Sequence, residues 1–447
     1  MIHRLQRPGS PDLLALHERN PQRYPFLLQS VAGHPQSGRY DLLFAFPEWA
    51  SPQTLTAGEG NWFSQLSATA ATEQLLPDSE LPFVGGWFLL LGYEAARFVE
   101  PRLRLPPSPY ALPDAIAVRC PAALIVDREL GLTHLLSERS EVQVAELLAD
   151  CVTVENQPAV APASGQLVET VIEDAAAGYL VNVARVLEYL RAGDSFQINL
   201  SRAWRAKLKQ NISYVDVYRG LRASNPSPFA GLACIGSSTV LSSSPERLIQ
   251  IKKDDTDTLA QTRPIAGTRP RGESPTEDAA LRAQLVGNLK ERAEHVMLID
   301  LERNDLGRVC EPGSVSVSEL MTVESYAHVH HIVSNVQGRL KAGVGPGEAI
   351  AAVFPGGTIT GCPKVRAMEI IAELEGVGRG PYTGAMGYLS RDGKLDLNIL
   401  IRSLVVENGV VTLRAGAGIV ADSVAEAELA ETRTKAKGLL RALGVAA

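Results

Sequence analysis

The amino-acid sequence predicts an α+β protein with antiparallel sheets. Apolar residues at helical spacing run through TVIEDAAAGYLVNVARVLEYLRAGD to a stop near Gly193, and the strand-like segment SFQINLSRAWRAKL follows. Nearer the C-terminus, AMGYLS, KLDLNILIRSLVV and VVTLRA are joined by Asp392-Gly393 and Asn408-Gly409, dipeptides typical of hairpin turns. Helices mixed with strands that are grouped as hairpins favour α+β over a parallel doubly wound sheet.

The composition is that of a globular protein that binds a small molecule. The chain has 447 residues, of which 45% are hydrophobic and 21% charged, enough for a large core. Its net charge of −7 argues against a nucleic-acid partner or an anionic membrane surface, since both require a concentrated basic face. Five widely spaced cysteines fit neither a disulfide framework nor a C-x-x-C metal site, so we expect reduced packing residues.

No targeting or membrane segment is predicted. The start, MIHRLQRPGSPDLL, lacks the charged-then-apolar pattern of a signal peptide. The longest apolar run, PFVGGWFLLLGY, is too short to span a bilayer. We therefore expect a cytoplasmic protein.

A stretch rich in proline, alanine and glycine, NQPAVAPASGQ (156–166), is the candidate linker. A helix is expected before it, from Ser137 to Val154. The linker separates an N-terminal region, residues 1–155, from a C-terminal region, residues 167–447, that carries most of the polar motifs. The central strand of the predicted hairpins has one apolar face and one polar face that could line a site, the latter formed by Asp396, Asn398 and Arg402.

Two helices each carry a pair of carboxylates on one face. Glu291 and Glu294 lie on a helix around LRAQLVGNLKERAEHVMLIDL. A C-terminal helix is expected after the glycine-rich turn AGAGIVADS, with Ser423 and Glu426 in a capping-box pattern. On this helix, Glu428, Glu431 and Lys435 lie on one face. The two pairs could converge on Mg²⁺, which prefers carboxylates and water, or could simply mark solvated helix faces with i,i+4 ion pairs.

Three weaker patterns are set aside. Gly416, Gly418 and Ala421 match a dinucleotide fingerprint, but too few residues follow to complete a nucleotide-binding sheet. The segment GTITGCPK lacks the ending of a phosphate-binding loop. In HVHHIV, strand alternation places His328 and His330 on one face and His331 on the other, which disfavours a shared zinc site.

Seven segments in order resemble the chorismate-utilising enzymes: SFQINLS, SSSPERL, PIAGTRPRG, KERAEHVMLIDLERND, PGGTITGCPKVRAMEII, RGPYTGAMGYLS and AGAGIVADSVAEAELAETRTKA. This family includes the large subunits of anthranilate synthase and of aminodeoxychorismate synthase. The resemblance runs from about Gly178 to the C-terminus and is looser before it. It implies two antiparallel sheets packed orthogonally with helices outside, a four-layer α/β/β/α unit, which replaces the three domains that length alone would predict.

The resemblance also implies roles for individual residues. Glu294 and Glu431 match direct Mg²⁺ ligands, and Glu291 and Glu428 match residues that hold metal-bound water. The metal would bind the ring carboxylate of chorismate. Further matches to substrate-binding positions, which include the region of the enolpyruvyl carboxylate, are Tyr382, Arg402, Gly416, Gly418, Lys435, Thr358, Gly267 and His331.

The chemistry implied is amination. Glu246 in SSSPERL matches the general acid that protonates the departing C4 hydroxyl, and it needs a raised pKa to hold a proton near neutral pH. Members that add water use a lysine base where this chain has Gln197, whose amide cannot abstract a proton. Ammonia is therefore the expected nucleophile. No glutaminase motif surrounds any cysteine, so a separate glutamine amidotransferase subunit is the expected source of ammonia.

The product depends on PIAGT, in which Ala266, Gly267 and Thr268 line the expected site. Well-known aminodeoxychorismate synthases carry lysine in place of Ala266 and attack C2 covalently, whereas anthranilate synthases carry alanine. The segments QINLS, GGTITG and LDLNILIRS resemble those of aminodeoxychorismate synthases more than those of anthranilate synthases. We expect 4-amino-4-deoxychorismate, formed through noncovalent 2-amino-2-deoxyisochorismate. Anthranilate is the alternative product, and a non-catalytic carboxylate-binding module is a third. The LLES motif, which the resemblance links to feedback by tryptophan, appears as LLQS, with the uncharged Gln29 in place of glutamate.

Overall fold

The computed structural model describes residues 2–31, 38–75, 80–158, 163, 165–253, 257–326 and 329–446. Its strands are β1 (His3–Pro8), β2 (Phe26–Gln29), β3 (Tyr40–Ala45), β4 (Leu55–Thr56), β5 (Gly86–Leu91), β6 (Ala115–Cys120), β7 (Ala122–Asp127), β8 (Leu132–Ser137), β9 (Val168–Glu173), β10 (Gln197–Leu208), β11 (Phe229–Ile235), β12 (Ser238–Ser244), β13 (Arg247–Lys253), β14 (Thr258–Arg263), β15 (Ile265–Pro270), β16 (Ser316–Ser325), β17 (Val329–Arg339), β18 (Gly361–Cys362), β19 (Ala385–Ser390), β20 (Leu395–Ile399), β21 (Ser403–Glu407) and β22 (Val410–Ile419). Its helices are α1 (Leu13–Arg19), α2 (Trp62–Thr72), α3 (Ala96–Val99), α4 (Glu141–Glu155), α5 (Ala176–Ala192), α6 (Tyr214–Ser224), α7 (Pro275–Gly287), α8 (Leu289–Gly307), α9 (Pro346–Val353), α10 (Lys364–Glu375) and α11 (Ala425–Ala442), with 3₁₀ turns at Tyr93–Ala95 and Gly357–Ile359.

The described strands form two sheets, and their pairs are antiparallel. The first sheet has the order β1-β8-β7-β3-β2-β11-β12-β21-β22-β10-β18, and β9 also pairs with β10. The second has the order β15-β17-β14-β13-β20-β19-β5-β6-β4, and β16 also pairs with β17. The predicted antiparallel α+β class is confirmed.

The hydrophobic core lies in three layers between four layers of secondary structure. Between the sheets, Phe26 of the first stacks on Phe88 of the second with ring centroids 4.0 Å apart. The other face of the first sheet packs against α1, α4, α6 and α11. The other face of the second sheet packs against α2, α8 and α9. The order helix, sheet, sheet, helix follows from these contacts.

Both sheets contain strands from before and after the candidate linker. In the first sheet β2 pairs with β11, and in the second β5 pairs with β19. Residues 159–162 and 164 of the linker lie outside the described residues. Between the end of α4 and the start of β9, the described residues contain neither helix nor strand.

Both predicted hairpins form. They do not share one central strand, however, so the prediction of three consecutive strands in one sheet is wrong. Asp392-Gly393 joins β19 to β20, and Asn408-Gly409 joins β21 to β22. The segment read as one central strand is interrupted after Ile399, so that β20 lies in the second sheet and β21 in the first. Arg402, in this interruption, has a φ of +52°, which extended backbone does not allow. The chain therefore passes from one sheet to the other at Arg402.

Two predictions around the acidic helices also need correction. The segment predicted as one helix is two, because the Asn288 side chain accepts a hydrogen bond from the backbone N–H of Glu291 at 3.1 Å and starts α8. The capping box of Ser423 and Glu426 is not formed, since Val424 is the N-cap residue and the Ser423 hydroxyl accepts instead from the N–H of Val420. The glycine-rich AGAGI belongs to β22, not to a turn.

Two of the predicted helices form, one of them with a later start. Helix α5 ends at Ala192 and is capped by Gly193 with a φ of +82°. The helix expected at Ser137–Val154 begins later, at Glu141, because Ser140 is its N-cap and Ser137 ends β8. The five cysteines are unpaired. No helix of the described residues is both long and apolar enough to cross a membrane.

Candidate active site

Glu246 is a buried carboxyl group with an elevated pKa. It lies between β12 and β13 at 4% exposure. Burial raises its pKa to about 7, against the opposing influence of the Thr358 hydroxyl, the Ile265 N–H and the cations Lys435 and Arg402. Neither Glu246 Oε1 nor Thr358 Oγ1 has a partner in hydrogen-bonding geometry within the described chain. Glu246 is therefore poised to exchange a proton near neutral pH.

Two cations, Lys435 and Arg402, act on this carboxyl group, and Tyr382 acts on Arg402. Burial lowers the pKa of Arg402, and Tyr382, Glu431 and Glu246 counteract that effect. Lys435 on α11 donates from Nζ to Glu431 Oε1 at 2.7 Å and to the carbonyl oxygen of Gly416 at 3.0 Å. Fixed positive charge next to a carboxyl group that is partly protonated near neutral pH suits an anionic ligand.

Glycines in β22 allow side chains to lie directly over that strand. A Cβ at Gly416 would stand 2.7 Å from Asn199 Oδ1 and 2.9 Å from Tyr382 Oη, and one at Gly418 would overlap the amide nitrogen of Gln197. Any larger residue would push these groups out of place. The two glycines are therefore required by packing in the site, not by a turn.

Gln197, at the start of β10, is oriented by an acidic residue of α8. Its Nε2 donates to Glu294 Oε1 at 3.2 Å. This leaves Gln197 Oε1 buried without a partner among the described residues. Because the nitrogen is held by Glu294, the carbonyl oxygen is available to a hydrogen-bond donor in the site.

The PIAGT segment forms β15 and a bulge. Ala266 is 7% exposed, and Gly267 has a φ of +71° where the register with β17 shifts. A Cβ at Gly267 would stand 2.8 Å from Glu291 Oε2. Thr268 Oγ1 lies 3.0 Å from His331 Nδ1, and burial lowers the pKa of His331 to about 4. His331 is therefore a neutral imidazole at physiological pH.

His330, the neighbour of His331, contacts other residues. His330 contacts Asp278 and Ser325, at 2.9 and 2.7 Å, and so makes no contact toward the Thr268 side chain. His328 lies outside the described residues. The opposite facing of His330 and His331 agrees with the strand alternation predicted from the sequence.

Three of the four predicted metal-site carboxylates interact with one another, and Glu291 stands apart. Burial raises the pKa of Glu294 and that of Glu428, and the Glu431 charge adds to both shifts. Glu291 instead pairs with Arg269, with Nη1 2.7 Å from Oε1. In the described parts of the chain, no three His, Cys, Asp or Glu side chains are grouped closely enough to hold a metal ion. Two of the four predicted carboxylates are neutralised by neighbouring cations, Glu291 by Arg269 and Glu431 by Lys435.

The donor chemistry of these carboxylates nevertheless fits Mg²⁺. All the donors are hard oxygens, as Mg²⁺ prefers. Glu291 Oε2 is buried and has no hydrogen-bond partner within the described residues. The like charges of Glu294, Glu428 and Glu431 raise the energy of the ionised state, which a bound divalent cation would relieve.

The chain as a whole resembles known proteins closely. The profile of the family described as chorismate binding enzyme matches residues 31–441. The chain belongs to the chorismate-binding enzymes. An anthranilate synthase component I-like protein of Synechocystis is 41% identical over 92% of this chain and 84% of its own length. Aminodeoxychorismate synthase component 1 of Bacillus subtilis is 40% identical over 86% of this chain and 81% of its own.

The fold of this chorismate-binding enzyme is also that of solved relatives. The crystal structure of anthranilate synthase component I from Streptococcus pneumoniae TIGR4 superposes with a TM-score of 0.78 at 31% identity, and the match covers 91% of this chain and 93% of that one. Among the similar curated relatives, anthranilate synthase component 1 is the commoner description. The relatives establish the family without separating its two aminating activities.

Sequence reasoning missed buried polar residues beneath the site of this chorismate-binding enzyme. Glu302 on α8 interacts electrostatically with Glu246, and burial raises its pKa well above the ordinary range. Arg379 lies under Tyr382 at 1% exposure. Both occur in segments already singled out, LERND and RGPYTG, but a charged residue in a motif carries no sign of burial. Only their contacts distinguish them from solvated residues.

A separate cavity of about 420 Å³ lies between the two sheets. Gln29, Phe229 and Met386 are among its lining residues, together with Asp396 and Asn398 from the polar face that was predicted to line a site. None of the residues matched to catalytic, substrate-binding or metal-binding positions lines it. The Gln29 side-chain oxygen lies 3.4 Å from the Tyr218 hydroxyl and 3.2 Å from Arg222 Nη1. The neutral amide thus occupies the position of the charged glutamate in LLES.

Proposed function

We propose that this chorismate-binding enzyme is the large component of an aminodeoxychorismate synthase. It converts chorismate and ammonia to 4-amino-4-deoxychorismate and water, for synthesis of para-aminobenzoate and folate. The observation that carries the amination is Gln197, a neutral amide held by Glu294 where water-adding relatives have a lysine base. Ammonia needs no such base, because the neutral molecule is already a nucleophile.

The reaction proceeds in two displacements. One ammonia forms a C–N bond at C2 while both ring double bonds shift and the C4 hydroxyl, protonated by Glu246, departs as water. The added nitrogen gives up a proton, which leaves 2-amino-2-deoxyisochorismate free in the site. A second ammonia then bonds to C4 and both double bonds shift back. The first nitrogen takes up a proton and leaves C2 as ammonia, and the nitrogen on C4 gives up one. Ala266 supports this route, because its methyl group leaves space where other synthases place a lysine.

The choice of product rests on segments that surround this site. QINLS supplies Gln197 and Asn199, and GGTITG supplies Thr358, whose unpartnered hydroxyl lies beside Glu246. These segments, with LDLNILIRS, are closer to aminodeoxychorismate synthase than to the QVVLS, GTLSG and DTAIAIRT forms of its sister enzyme. The relative from Bacillus subtilis carries this activity in its name.

Anthranilate synthase component I is the second candidate, and Ala266 is the observation that favours it. Anthranilate synthases have alanine at this position, and most of the similar relatives bear that name. In this reaction a single ammonia adds at C2 and pyruvate is then eliminated. The two candidates share the first displacement and differ only in the fate of the intermediate.

We propose that Mg²⁺ is held directly by Glu294 and Glu431, with Glu291 and Glu428 contacting it through water. The metal would neutralise the ring carboxylate of chorismate and fix the ring beside Glu246. Arg402 and Tyr382 would bind the enolpyruvyl carboxylate, for which a planar guanidinium is suited. The name component 1 that the relatives carry supports a second subunit, a glutamine amidotransferase that delivers ammonia.

The test is product identification. The purified chain is incubated with chorismate, ammonium and Mg²⁺, and products are separated by chromatography while pyruvate is measured. Formation of 4-amino-4-deoxychorismate without pyruvate supports the proposal, whereas anthranilate with equimolar pyruvate overturns it in favour of the second candidate. The Glu246→Gln variant excludes a non-catalytic module: it should still bind chorismate but lose about 10²-fold or more of the turnover.

A further inference from the structure

Every N–H group of the Arg379 guanidinium donates a hydrogen bond, although Arg379 was not predicted to contact the substrate or the metal. Nε and Nη2 donate to the two oxygens of Glu375 at 3.0 and 2.6 Å. The remaining donors reach the carbonyl oxygens of Asn199 at 2.7 Å and Ile359 at 3.2 Å, and the Thr383 hydroxyl at 3.3 Å. Five donors in a rigid plane are all engaged.

The three acceptors other than Glu375 belong to separate segments, each of which carries a predicted site residue. Asn199 lies two residues after Gln197 on β10, Ile359 directly follows Thr358, and Thr383 directly follows Tyr382. The Arg379 guanidinium also lies over the Tyr382 ring, 5.7 Å from its centroid. One buried guanidinium group thus links the backbone near Gln197, the backbone next to Thr358 and the segment that carries Tyr382.

The backbone of Arg379 is fixed in turn by the N-terminal part of the chain. Glu94, which is 2% exposed, accepts from the Arg379 N–H at 2.6 Å and from the Gly380 N–H at 3.0 Å. The Tyr93 N–H donates to the Gly380 carbonyl oxygen at 2.7 Å. The turn that leads to Tyr382 is therefore held on both sides.

Glu375 is shared with the neighbouring strand β22, and it extends the network to the glycines of the site. Its Oε2 accepts from Arg414 at 2.7 Å, and its Oε1 accepts from the Ser201 N–H at 2.8 Å. Burial opposes the charge, but Arg379 and Arg414 hold the pKa of Glu375 below its usual value. The ion pair is thus complete without any ligand.

We propose that Arg379 is a positioning residue for amination of chorismate, which sets the relative placement of Gln197, Thr358 and Tyr382, and that Glu94 fixes it from the N-terminal region. The inference rests on the proposed function for its substrate. A lysine at position 379 keeps the positive charge beside Glu375. It offers a single ammonium group that cannot reach all of the acceptors in their present arrangement.

The experiment compares Arg379→Lys with Arg119→Lys. Arg119 is a matched control, since it is also fully buried, pairs with Glu138, and donates to the carbonyl oxygens of Gly86 and Cys120, all in the N-terminal region. Melting temperature, chorismate affinity by calorimetry, and kcat and KM for amination are measured for both. We expect both variants to lose thermal stability, but only Arg379→Lys to lose about tenfold or more in kcat/KM and in chorismate affinity.

An Arg379→Lys variant whose kcat/KM and affinity stay within twofold of those of Arg119→Lys overturns the inference. If Arg379→Lys does not fold, Glu94→Gln decides in the same way, because its amide can accept from one backbone N–H but presents a donor to the other. Should the wild type bind chorismate without aminating it, the proposed function fails and the affinities alone decide the inference. A wild type that does not bind chorismate overturns both.

Discussion

Gln197 donates to Glu294 across the site, with Nε2 3.2 Å from Oε1. A lysine at position 197 would restore the base of water-adding relatives, which the present amide cannot replace. We therefore expect Gln197→Lys to gain addition of water at C2 and to release isochorismate beside the aminated product. Chromatography of chorismate products distinguishes the outcomes, and a variant that forms no isochorismate would contradict the prediction. Gln197→Met is the uncharged control.

Activity should fall at alkaline pH because Glu246 must carry a proton. Burial raises its pKa to about 7 from 4.5, so the protonated fraction declines above neutrality. We expect kcat/KM for chorismate to drop about tenfold per pH unit above that pKa. Total ammonium is adjusted at each pH to hold free ammonia constant. A flat profile from neutral to alkaline pH would remove Glu246 from the role of general acid.

Lysine at position 266 should change the route and not the product. The side chain would start from buried β15, beside the Ile265 N–H that acts on Glu246. A neutral lysine there can attack C2 while the C4 hydroxyl leaves. We expect Ala266→Lys to show an adduct of chorismate minus water by mass spectrometry after acid quenching, and the wild type to show none. An adduct on the wild type would disprove the noncovalent intermediate.

Substitution of Glu431, but not substitution of the exposed Glu426, should change the Mg²⁺ concentration that the enzyme requires. Glu431 pairs with Lys435 and its charge raises the pKa of Glu294 and Glu428. We expect a chelator to abolish activity, and Glu431→Gln to raise the Mg²⁺ concentration for half-maximal rate by about tenfold or more. Glu426→Gln, at an exposed position in the first turn of α11, is the control. Equal Mg²⁺ requirements of the two variants would refute the assignment.

Tryptophan should not inhibit this enzyme. Gln29 borders the cavity between the sheets, and its neutral amide, with the oxygen 3.2 Å from Arg222 Nη1 of α6, replaces the carboxylate of the LLES motif. The ammonium group of an amino acid would lack its counter-charge there. Initial rates are measured with and without millimolar tryptophan, with calorimetry to detect binding. Saturable inhibition would show that Gln29 does not exclude the ligand.

Local signals in the sequence predicted much of the fold. Asp392-Gly393 and Asn408-Gly409 correctly predicted the two C-terminal hairpins. The helical spacing of apolar residues, with the stop at Gly193, correctly predicted α5. The interruption at Arg402 was missed, because apolar alternation continues through Ile401 and a positive φ at a non-glycine residue has no sequence signature. The break at Asn288 did have one, an Asn that follows a glycine, and its N-cap preference was overlooked.

Motifs supplied the candidate site residues, but not the residues that support them. Some of the candidates contact one another: Gln197 donates to Glu294, and Lys435 donates to Gly416 and Glu431. Thr268 Oγ1 lies 3.0 Å from His331 Nδ1. The ion pairs of Glu291 with Arg269 and of Glu431 with Lys435 required coordinates, because either carboxylate could equally have been free. The bond from Arg379 to Glu94 spans 285 residues of sequence, and no local pattern reports such a contact.

The pairing of β2 with β11 and of β5 with β19 determines how the chain can be divided. A fragment that starts at residue 167 would leave one side of β11 and one side of β19 unpaired, in the interior of each sheet. The unpaired backbone groups of such strand edges pair with strands of other molecules. The polypeptide therefore cannot be dissected at its linker into an autonomous catalytic half, and enzyme engineering must treat both halves as one folding unit.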